Sequence, residues 1–272
     1  MSKKILKNVK NISDSYDAFF IDIWGVIHNG IELYPKATEV LENLMKEKKR
    51  FVLMSNAPRP SKNVEKLLSK LKMNKIFFKN IFTSGQAALK SLENNKYGKT
   101  FYHLGPKRDS DLFKGFEKKK RTLIKADFIL CTGFLDDYED NIDFHKKLLK
   151  KYIRIKMVCT NPDIIVHRGS RQEYCAGKIA EIFCAMGGEV IYFGKPHPEI
   201  YNLCIKKNEK ILVIGDNILT DIKGANNMNL DSLLITGGIH KQEFLNLPLQ
   251  NYDKILDKYG SKTNYYQEIL TW

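Results

Sequence analysis

The stretch FFIDIWGVIHNG, residues 19–30, decides the fold class of this chain. It opens with an apolar run, reaches a single carboxylate at Asp22 and then breaks at Trp24 and Gly25. Short apolar runs that end at turn residues are typical of strands buried on both faces, as in a parallel sheet covered by helices. Asp22 is therefore predicted to emerge where a buried strand becomes a loop, and open α/β sheets bind their ligands there.

Further apolar runs of this kind recur along the chain, at residues 51–55, 127–132, 157–160, 190–193, 211–215 and 232–236. Helical patterns lie between them. One helix is predicted to start at Pro60 and Ser61, and another runs from Cys175 to Met186, ended by Gly187. This alternation of strand and helix predicts an α/β protein with a doubly wound, mostly parallel sheet.

Composition narrows the class of protein. The chain has 272 residues, of which 43% are hydrophobic and 28% are charged, and this composition is typical of globular proteins. No apolar run approaches the roughly 18 residues that a membrane-spanning helix needs. The net charge of +14 comes mostly from dispersed lysines, whereas specific nucleic-acid recognition favours arginine. The five cysteines form no C-x-x-C pair, which fits a reducing compartment. We expect a cytoplasmic protein without a membrane or specific nucleic-acid partner.

Polar groups follow four of the predicted strands. They are Asp22, Ser55 with Asn56, Lys195 after a Phe-Gly turn, and Asp216 with Asp221 five residues later. Carboxylates are the hard oxygen ligands that Mg²⁺ prefers, and an ammonium and a hydroxyl can hold phosphate oxygens. Each group alone also has a structural interpretation, as a turn, a helix start or a loop lysine. Only the ordered set predicts a site for phosphoryl transfer.

The flanks of these residues resemble the haloacid dehalogenase superfamily, in its class IIA subgroup of phosphatases acting on p-nitrophenyl phosphate, phosphoglycolate and nucleotide monophosphates. The resemblance covers nearly the whole chain. It rests on six segments in order: FFIDIWGVIHNG (19–30), VLMSNAPRP (52–60), FTSGQAALKSL (82–92), CTNPD (159–163), FGKPHPEIY (193–201) and VIGDNILTDIKGA (213–225).

This resemblance implies roles for the residues at the strand ends. Asp22 would be the nucleophile and a metal ligand, and the main-chain carbonyl of Trp24 and the side chain of Asp216 would complete the protein's ligands to Mg²⁺. Asp221 would support the metal waters or Lys195, and Lys195 would neutralise the nucleophile and the phosphate.

The phosphate-binding residues implied by the resemblance are Ser55 and Asn56, together with Lys195. The loop containing Asn161 and Asp163 matches a loop of the subgroup that looks into the active site from a cap domain.

The resemblance also implies a two-domain organisation. A polar break at 93–99 and a glycine pair at 187–188 bracket an insertion. The expected core domain comprises residues 1–96 and 189–272, and the expected α/β cap comprises residues 97–188, with the site between them. From about residue 249 we expect a terminal helix packed onto the body by the aromatic side chains of Tyr265, Tyr266 and Trp272.

The chain departs from the subgroup at Trp24. Phosphatases of the family carry a second Asp there, which protonates the leaving oxygen and then activates water. An indole cannot exchange a proton at neutral pH, and a positioned acid or base contributes about 10²- to 10⁴-fold in rate. Three hypotheses remain open: other chemistry at Asp22, hydrolysis of activated esters with a substitute proton carrier such as His28, and a phosphate-binding protein with residual catalysis. For His28 a turn-capping role is favoured over proton transfer.

The sequence therefore predicts a Mg²⁺-dependent phosphatase that acts on a small phosphorylated metabolite through an aspartyl phosphate on Asp22. The alternative is a phosphometabolite-binding homologue with little or no activity, because Trp24 replaces the acid. Relatives with this cap often pair through it, so a homodimer through the cap is expected.

Overall fold

The computed structural model of the chain describes residues 4–168 and 171–272, without the side chains of residues 4, 167, 168 and 171. The strands in this part of the chain are β1 (Lys4–Ile5), β2 (Ala18–Asp22), β3 (Arg50–Ser55), β4 (Ile81–Thr83), β5 (Phe101–Leu104), β6 (Phe128–Cys131), β7 (Lys156–Cys159), β8 (Ile165–Arg168), β9 (Arg171–Tyr174), β10 (Val190–Tyr192), β11 (Ile211–Gly215), β12 (Asp231–Ile235) and β13 (Tyr265–Gln267).

The α-helices are α1 (Lys10–Ser13), α2 (Pro35–Lys46), α3 (Ser61–Lys70), α4 (Ser84–Glu93), α5 (Ile142–Lys150), α6 (Ala176–Ala185), α7 (Pro198–Asn202), α8 (Lys223–Asn227), α9 (Lys241–Phe244) and α10 (Tyr252–Lys258). Short 3₁₀ segments lie at Lys75–Asn80, Lys107–Phe113, Glu117–Lys119, Leu123–Lys125, Asp136–Tyr138 and Leu249–Asn251, and one π-helical turn lies at Ile218–Ile222.

The larger sheet has seven strands in the order β1-β13-β12-β11-β2-β3-β4. Strand β2 pairs in parallel with β3 on one side and with β11 on the other. From β2 the chain continues outward through β3 and β4, whereas β11, β12 and β13 extend the sheet in the opposite direction. The strand order therefore reverses between β2 and β11, and such a switch point is where open α/β sheets bind ligands.

The apolar runs become central strands because both of their faces are covered. On one face, Phe20 of β2 and Val213 of β11 pack with Tyr201 of α7 and Ala225 of α8. Full burial of a large apolar side chain contributes about 1.5–3 kcal/mol, so these strands anchor the sheet. Their carboxyl ends are thus held rigidly, which is what a catalytic group at a strand end requires.

The smaller sheet has four strands in the order β10-β7-β6-β5, and its three strand pairs are all parallel. Strands β8 and β9 form a separate antiparallel hairpin. The core of this sheet includes Ile129, Met157, Ile179 and Phe183, all fully buried. Helix α6 supplies two of these residues at helical spacing, so it covers the sheet with its apolar face.

The chain divides into two compact units. The first comprises Met1–Ser55, Glu65–Phe82 and Lys195–Trp272, and the second comprises Asn56–Val64 and Thr83–Gly194. Helix α4 falls in the second unit, where Gly85 N–H donates to the Ala57 carbonyl at 3.0 Å and the Thr83 hydroxyl donates to the Arg59 carbonyl at 2.7 Å. The domain boundaries expected from the sequence, at residues 97 and 188, stay a prediction.

The predicted α/β fold class is confirmed. All seven apolar runs are strands, and the two predicted helices are α3 and α6. The helix expected after residue 249 is α10, which ends at Lys258, and Tyr265 and Tyr266 lie beyond it on strand β13. Tyr266 still packs the helix onto the body: it pairs with Leu234 in the sheet, and its hydroxyl donates to Asp253 at 2.6 Å. No helix among the described residues is both long and apolar enough to cross a membrane.

A buried histidine in the second unit makes stability depend on pH. His103 lies on β5 with its Nε2 2.9 Å from the Thr132 hydroxyl, and burial, followed by the nearby Lys120 charge, lowers its pKa to about 4. The unfolded chain takes up this proton near pH 6.5, so the contribution of neutral His103 is lost as the pH falls from 6.5 towards 4. We expect wild type to lose about 2 kcal/mol relative to His103→Gln between pH 7 and 4.5, measured by urea unfolding of both proteins. Parallel pH profiles for the two proteins would contradict this.

Candidate active site

Asp22 occupies the switch point of the seven-stranded sheet. It is the last residue of β2 and is in register with Met54, one residue before the end of β3. On the other side of β2, strand β11 ends at Gly215, directly before Asp216. Parallel strands end at the same edge of a sheet, so the topology brings Asp22, Ser55 and Asp216 to one edge.

Lys195 lies between two carboxylates. Its Nζ donates to Oδ1 of Asp22 and to Oδ1 of Asp221, both at 2.6 Å, and lies 3.4 Å from the Met54 carbonyl. The Lys195 side chain is only 3% exposed and that of Asp221 only 1%. Breaking a buried ion pair by removing one partner is strongly destabilising, so this arrangement fixes Lys195 against the end of β2.

The first unit also brings Asp216 to this cluster. One carboxylate oxygen from each of Asp22, Asp216 and Asp221 lies within 4.8 Å of the others. The Asp216 Oδ2 accepts from the Ile239 N–H at 2.7 Å. Asp221 is held through its other oxygen, because Oδ2 accepts from the Asn217 N–H at 3.1 Å.

Glycines make room for these carboxylates. A Cβ on Gly25 or on Gly238 would lie 2.1 Å from Oδ2 of Asp216, and a Cβ on Gly215 would lie 2.1 Å from Cγ of Asp221. Gly25 also has a φ of +83°, a conformation that L residues rarely adopt. The loops after β2 and β12 therefore need glycine in order to close around the acidic groups.

The pKa values show a site with excess negative charge. Burial, and after it the Asp221 charge, raises the pKa of Asp22 well above its usual value, although Lys195 opposes the shift. Burial and then Asp221 likewise raise the pKa of Asp216 to about 7. Burial alone would lower the pKa of Lys195, but the carboxylates of Asp22 and Asp221 outweigh it and raise this pKa. One ammonium therefore faces three carboxylates, and a second cation would relieve their repulsion.

Trp24 lies in the turn that follows β2. Gly25 N–H donates to the His28 carbonyl at 2.8 Å and closes the turn, and the indole packs so tightly on Gly30 that a Cβ there would lie 2.7 Å from the ring. The rings of Trp24 and His28 meet edge to face, with centroids 4.9 Å apart. Position 24 therefore presents an aromatic ring, held by the turn, two residues after Asp22.

The structure supports the turn-capping role for His28. Its Nδ1 accepts from the Gly30 N–H at 2.8 Å, and the ring is 1% exposed. Burial lowers the pKa of His28 to about 4, so the ring is neutral at pH 7, with its proton on Nε2.

The remaining predicted site residues lie as follows. Ser55 is the half-buried last residue of β3. Asn56 belongs to the second unit, where its Nδ2 donates to Oδ1 of Asp163 at 2.9 Å. Asn161 holds the same loop, because its Oδ1 accepts from the Asp163 N–H at 3.0 Å. Within the second unit these three residues thus form one hydrogen-bonded group, and their functional roles stay predictions.

Sequence reasoning missed the loop after β12. It supplies the Ile239 N–H to Asp216, and the adjacent His240 accepts from the Ile218 N–H at 3.2 Å through Nε2. The His240 Nδ1 lies 2.5 Å from Glu243, which fixes the ring. The signal was present in the sequence, because Gly237 and Gly238 follow directly after an apolar run that ends at the same sheet edge.

Comparisons with known proteins agree with this architecture. A family model described as haloacid dehalogenase-like hydrolase matches residues 19–118, and a second, described as HAD-hydrolase-like, matches residues 192–260. A solved hydrolase of the haloacid dehalogenase-like family from Brucella suis 1330 superposes with a TM-score of 0.83 at 28% identity, covering 98% of this chain and 100% of that one.

Two curated relatives have names that state an activity. Phosphoglycolate phosphatase 1A, chloroplastic, from Arabidopsis thaliana is 23% identical over 91% of this chain and 76% of its own length. Ribonucleotide monophosphatase NagD from Escherichia coli (strain K12) is 26% identical over 80% of this chain and 86% of its own length.

The fold and the matched models define the class of protein as a hydrolase with a parallel, helix-covered sheet and with its polar groups at the switch point of that sheet. The chain belongs to the haloacid dehalogenase-like hydrolases, as its motifs indicated. The two named relatives represent the class IIA activities that the resemblance implied, and the prediction of an enzyme is confirmed at the level of a hydrolase.

Proposed function

We propose that this chain is a Mg²⁺-dependent phosphatase that hydrolyses the monoester of a small phosphorylated metabolite through an aspartyl phosphate on Asp22. The observation that carries the proposal is the Lys195 ammonium, which contacts Asp22 and Asp221 at 2.6 Å beside a third carboxylate, Asp216. An acidic nucleophile can approach an anionic phosphate only where positive charge offsets their repulsion.

The residues present fit a magnesium ion. Three carboxylates offer oxygens within 4.8 Å of one another, and the glycines at 25 and 238 leave the space around Asp216 that a bulkier side chain would fill. We assign Asp22 and Asp216 and the main-chain carbonyl of Trp24 as ligands, with Asp221 in support. When bound, Mg²⁺ would neutralise charge on the carboxylates and on the phosphate.

The side chains of the site have separate roles in the transfer of the phosphoryl group to Asp22. We assign Oδ2 of Asp22 to the attack on phosphorus, since Lys195 holds Oδ1. The new bond joins this oxygen to phosphorus, the ester P–O bond breaks, and its electron pair leaves with the alcohol oxygen. Lys195 orients Asp22 and binds a phosphate oxygen, and Ser55 and Asn56 bind the others.

The names of two relatives support the class of substrate that we propose. The activities in their names concern phosphoglycolate and ribonucleoside monophosphates, both of which are monoesters of small metabolites. Asn161 and Asp163 are our candidates for contacts with the rest of the substrate, because their loop is hydrogen-bonded to Asn56.

A panel assay with metal removal tests the proposal. We expect phosphate release from at least one of phosphoglycolate, the ribonucleoside monophosphates and p-nitrophenyl phosphate when Mg²⁺ is present. Chelation should reduce phosphate release to the background rate, because the three carboxylates and the phosphate then repel one another without a metal ion between them. Added Mg²⁺ should restore the release, because it neutralises this charge. A phosphodiester serves as the control. Full activity after exhaustive chelation would contradict the metal assignment.

Trp24 favours a second candidate function, a phosphometabolite binder with little or no turnover. The indole offers no proton for the leaving oxygen. Titration calorimetry on the same panel distinguishes the two candidates, since saturable binding of an ester that is recovered unhydrolysed supports the binder and contradicts the phosphatase.

A further inference from the structure

Three charged groups beside Asp22, namely Asp221, Asp216 and Lys195, are held by hydrogen bonds to fixed partners. Asp221 accepts from Lys195 through one oxygen and from the Asn217 N–H through the other. Asp216 accepts from the Ile239 N–H, and Lys195 is shared between Asp22 and Asp221. The charges of these three groups act on Asp22, and each group is held in place by these contacts.

The turn after β2 adds no proton carrier. Trp24 packs its indole on Gly30, and an indole N–H neither gives nor takes a proton at neutral pH. His28 uses Nδ1 to accept from the Gly30 N–H, and its ring is 1% exposed. The polar atom through which it would take up a proton is therefore part of the turn.

The lack of a proton carrier in the turn after β2 affects the formation of the aspartyl phosphate less than its hydrolysis. In the first half, the electron pair of the broken ester bond leaves with the alcohol oxygen, and an acidic leaving group such as a phenol or a carboxylic acid departs as a stable anion. In the second half, water forms the new bond to phosphorus, the bond from phosphorus to Asp22 breaks, and its electron pair returns to the carboxylate. The attacking water must lose a proton, which passes to the released phosphate or to solvent water when no side chain is positioned to take it, and no property of the leaving group can assist that step.

Building on the proposed function, we propose that this chain acts on phosphate esters and mixed anhydrides with acidic leaving groups, and that it accumulates as the aspartyl phosphate during turnover. The first half of the reaction is fast with these substrates, whereas hydrolysis of the Asp22 phosphate limits the cycle. The chain thus has a phosphoryl-storing activity as well as a slow phosphatase activity.

The test compares wild type with Trp24→Asp and Trp24→Asn. The two variants remove the same indole and introduce side chains of the same size, but only Asp can exchange a proton. With p-nitrophenyl phosphate and Mg²⁺, we expect wild type and Trp24→Asn to release a burst of p-nitrophenol close to one equivalent per chain. Intact-protein mass spectrometry of acid-quenched samples should show most of the chain phosphorylated.

Trp24→Asp should lose the burst and the phosphorylated species, and its steady-state rate should exceed that of Trp24→Asn by about 10²-fold. Turnover by wild type without phosphorylated protein, or equal behaviour of the two variants, would overturn the inference and leave the phosphatase proposal standing. If none of the three proteins released p-nitrophenol or became phosphorylated, the phosphatase proposal itself would fail, and the inference with it.

Discussion

Asp22→Asn is expected to reduce phosphate release by about 10³-fold or more, because the amide cannot attack phosphorus. The fold should survive the change. Burial and the neighbouring Asp221 charge raise the pKa of Asp22, so the native site already disfavours this negative charge. Replacing it with a neutral amide relieves repulsion within the cluster, and we expect the free energy of unfolding without metal to stay the same or rise.

Steady-state kinetics and urea unfolding of the same preparation measure both effects. Asp14→Asn is the matched control, since Asp14 is an exposed carboxylate beyond the end of α1. It should retain full activity. If Asp22→Asn kept more than about a tenth of the wild-type rate, another group would have to be the nucleophile.

Lys195→Met is expected to have the largest effect on stability. The buried ammonium is the shared partner of Asp22 and Asp221, and removing one partner of a buried pair costs about 3–5 kcal/mol. Activity should fall by about 10²- to 10³-fold, as when one charge-stabilising donor is removed from an active site.

The loss of stability in Lys195→Met should depend on pH in a defined direction. Without the ammonium, which opposes the raised pKa of Asp22, this pKa rises further, and protonation of Asp22 relieves the repulsion. The difference from wild type should therefore shrink as the pH falls. Lys178→Met is the control, because Lys178 pairs with Glu181 on the surface of α6 and such pairs contribute at most about 1 kcal/mol. Equal effects of the two substitutions would contradict the role given to Lys195.

The central strands could be predicted from the sequence because a strand that is buried on both faces consists of a continuous run of apolar residues. Runs such as residues 211–215 are apolar throughout, and the structure covers both faces of that strand. The short peripheral strands left no comparable pattern. Strand β1 has two residues and β4 has three, too few for a periodicity to appear. Strand β13 has three residues and was not predicted either.

The acidic groups of the site were predictable because parallel strands end at one edge of the sheet. The charge of Lys195 and the order of the motifs along the chain distinguished these residues from ordinary turn and loop residues. The structure brings Asp22, Asp216, Asp221 and Lys195 together. The supporting contacts could not be predicted, because the Ile239 N–H is a backbone group with no sequence signature of its own. The homodimer and the lack of a specific nucleic-acid partner stay predictions.

The central claim is that Asp22 carries the phosphoryl group, and mapping that group tests it most directly. Wild-type protein is mixed with p-nitrophenyl phosphate and Mg²⁺, quenched in acid within a single turnover and digested for peptide mass spectrometry. We predict phosphate on the peptide that contains Asp22, localised to that residue, and none in Asp22→Asn. Turnover with phosphate on another residue, or on none, would contradict the account.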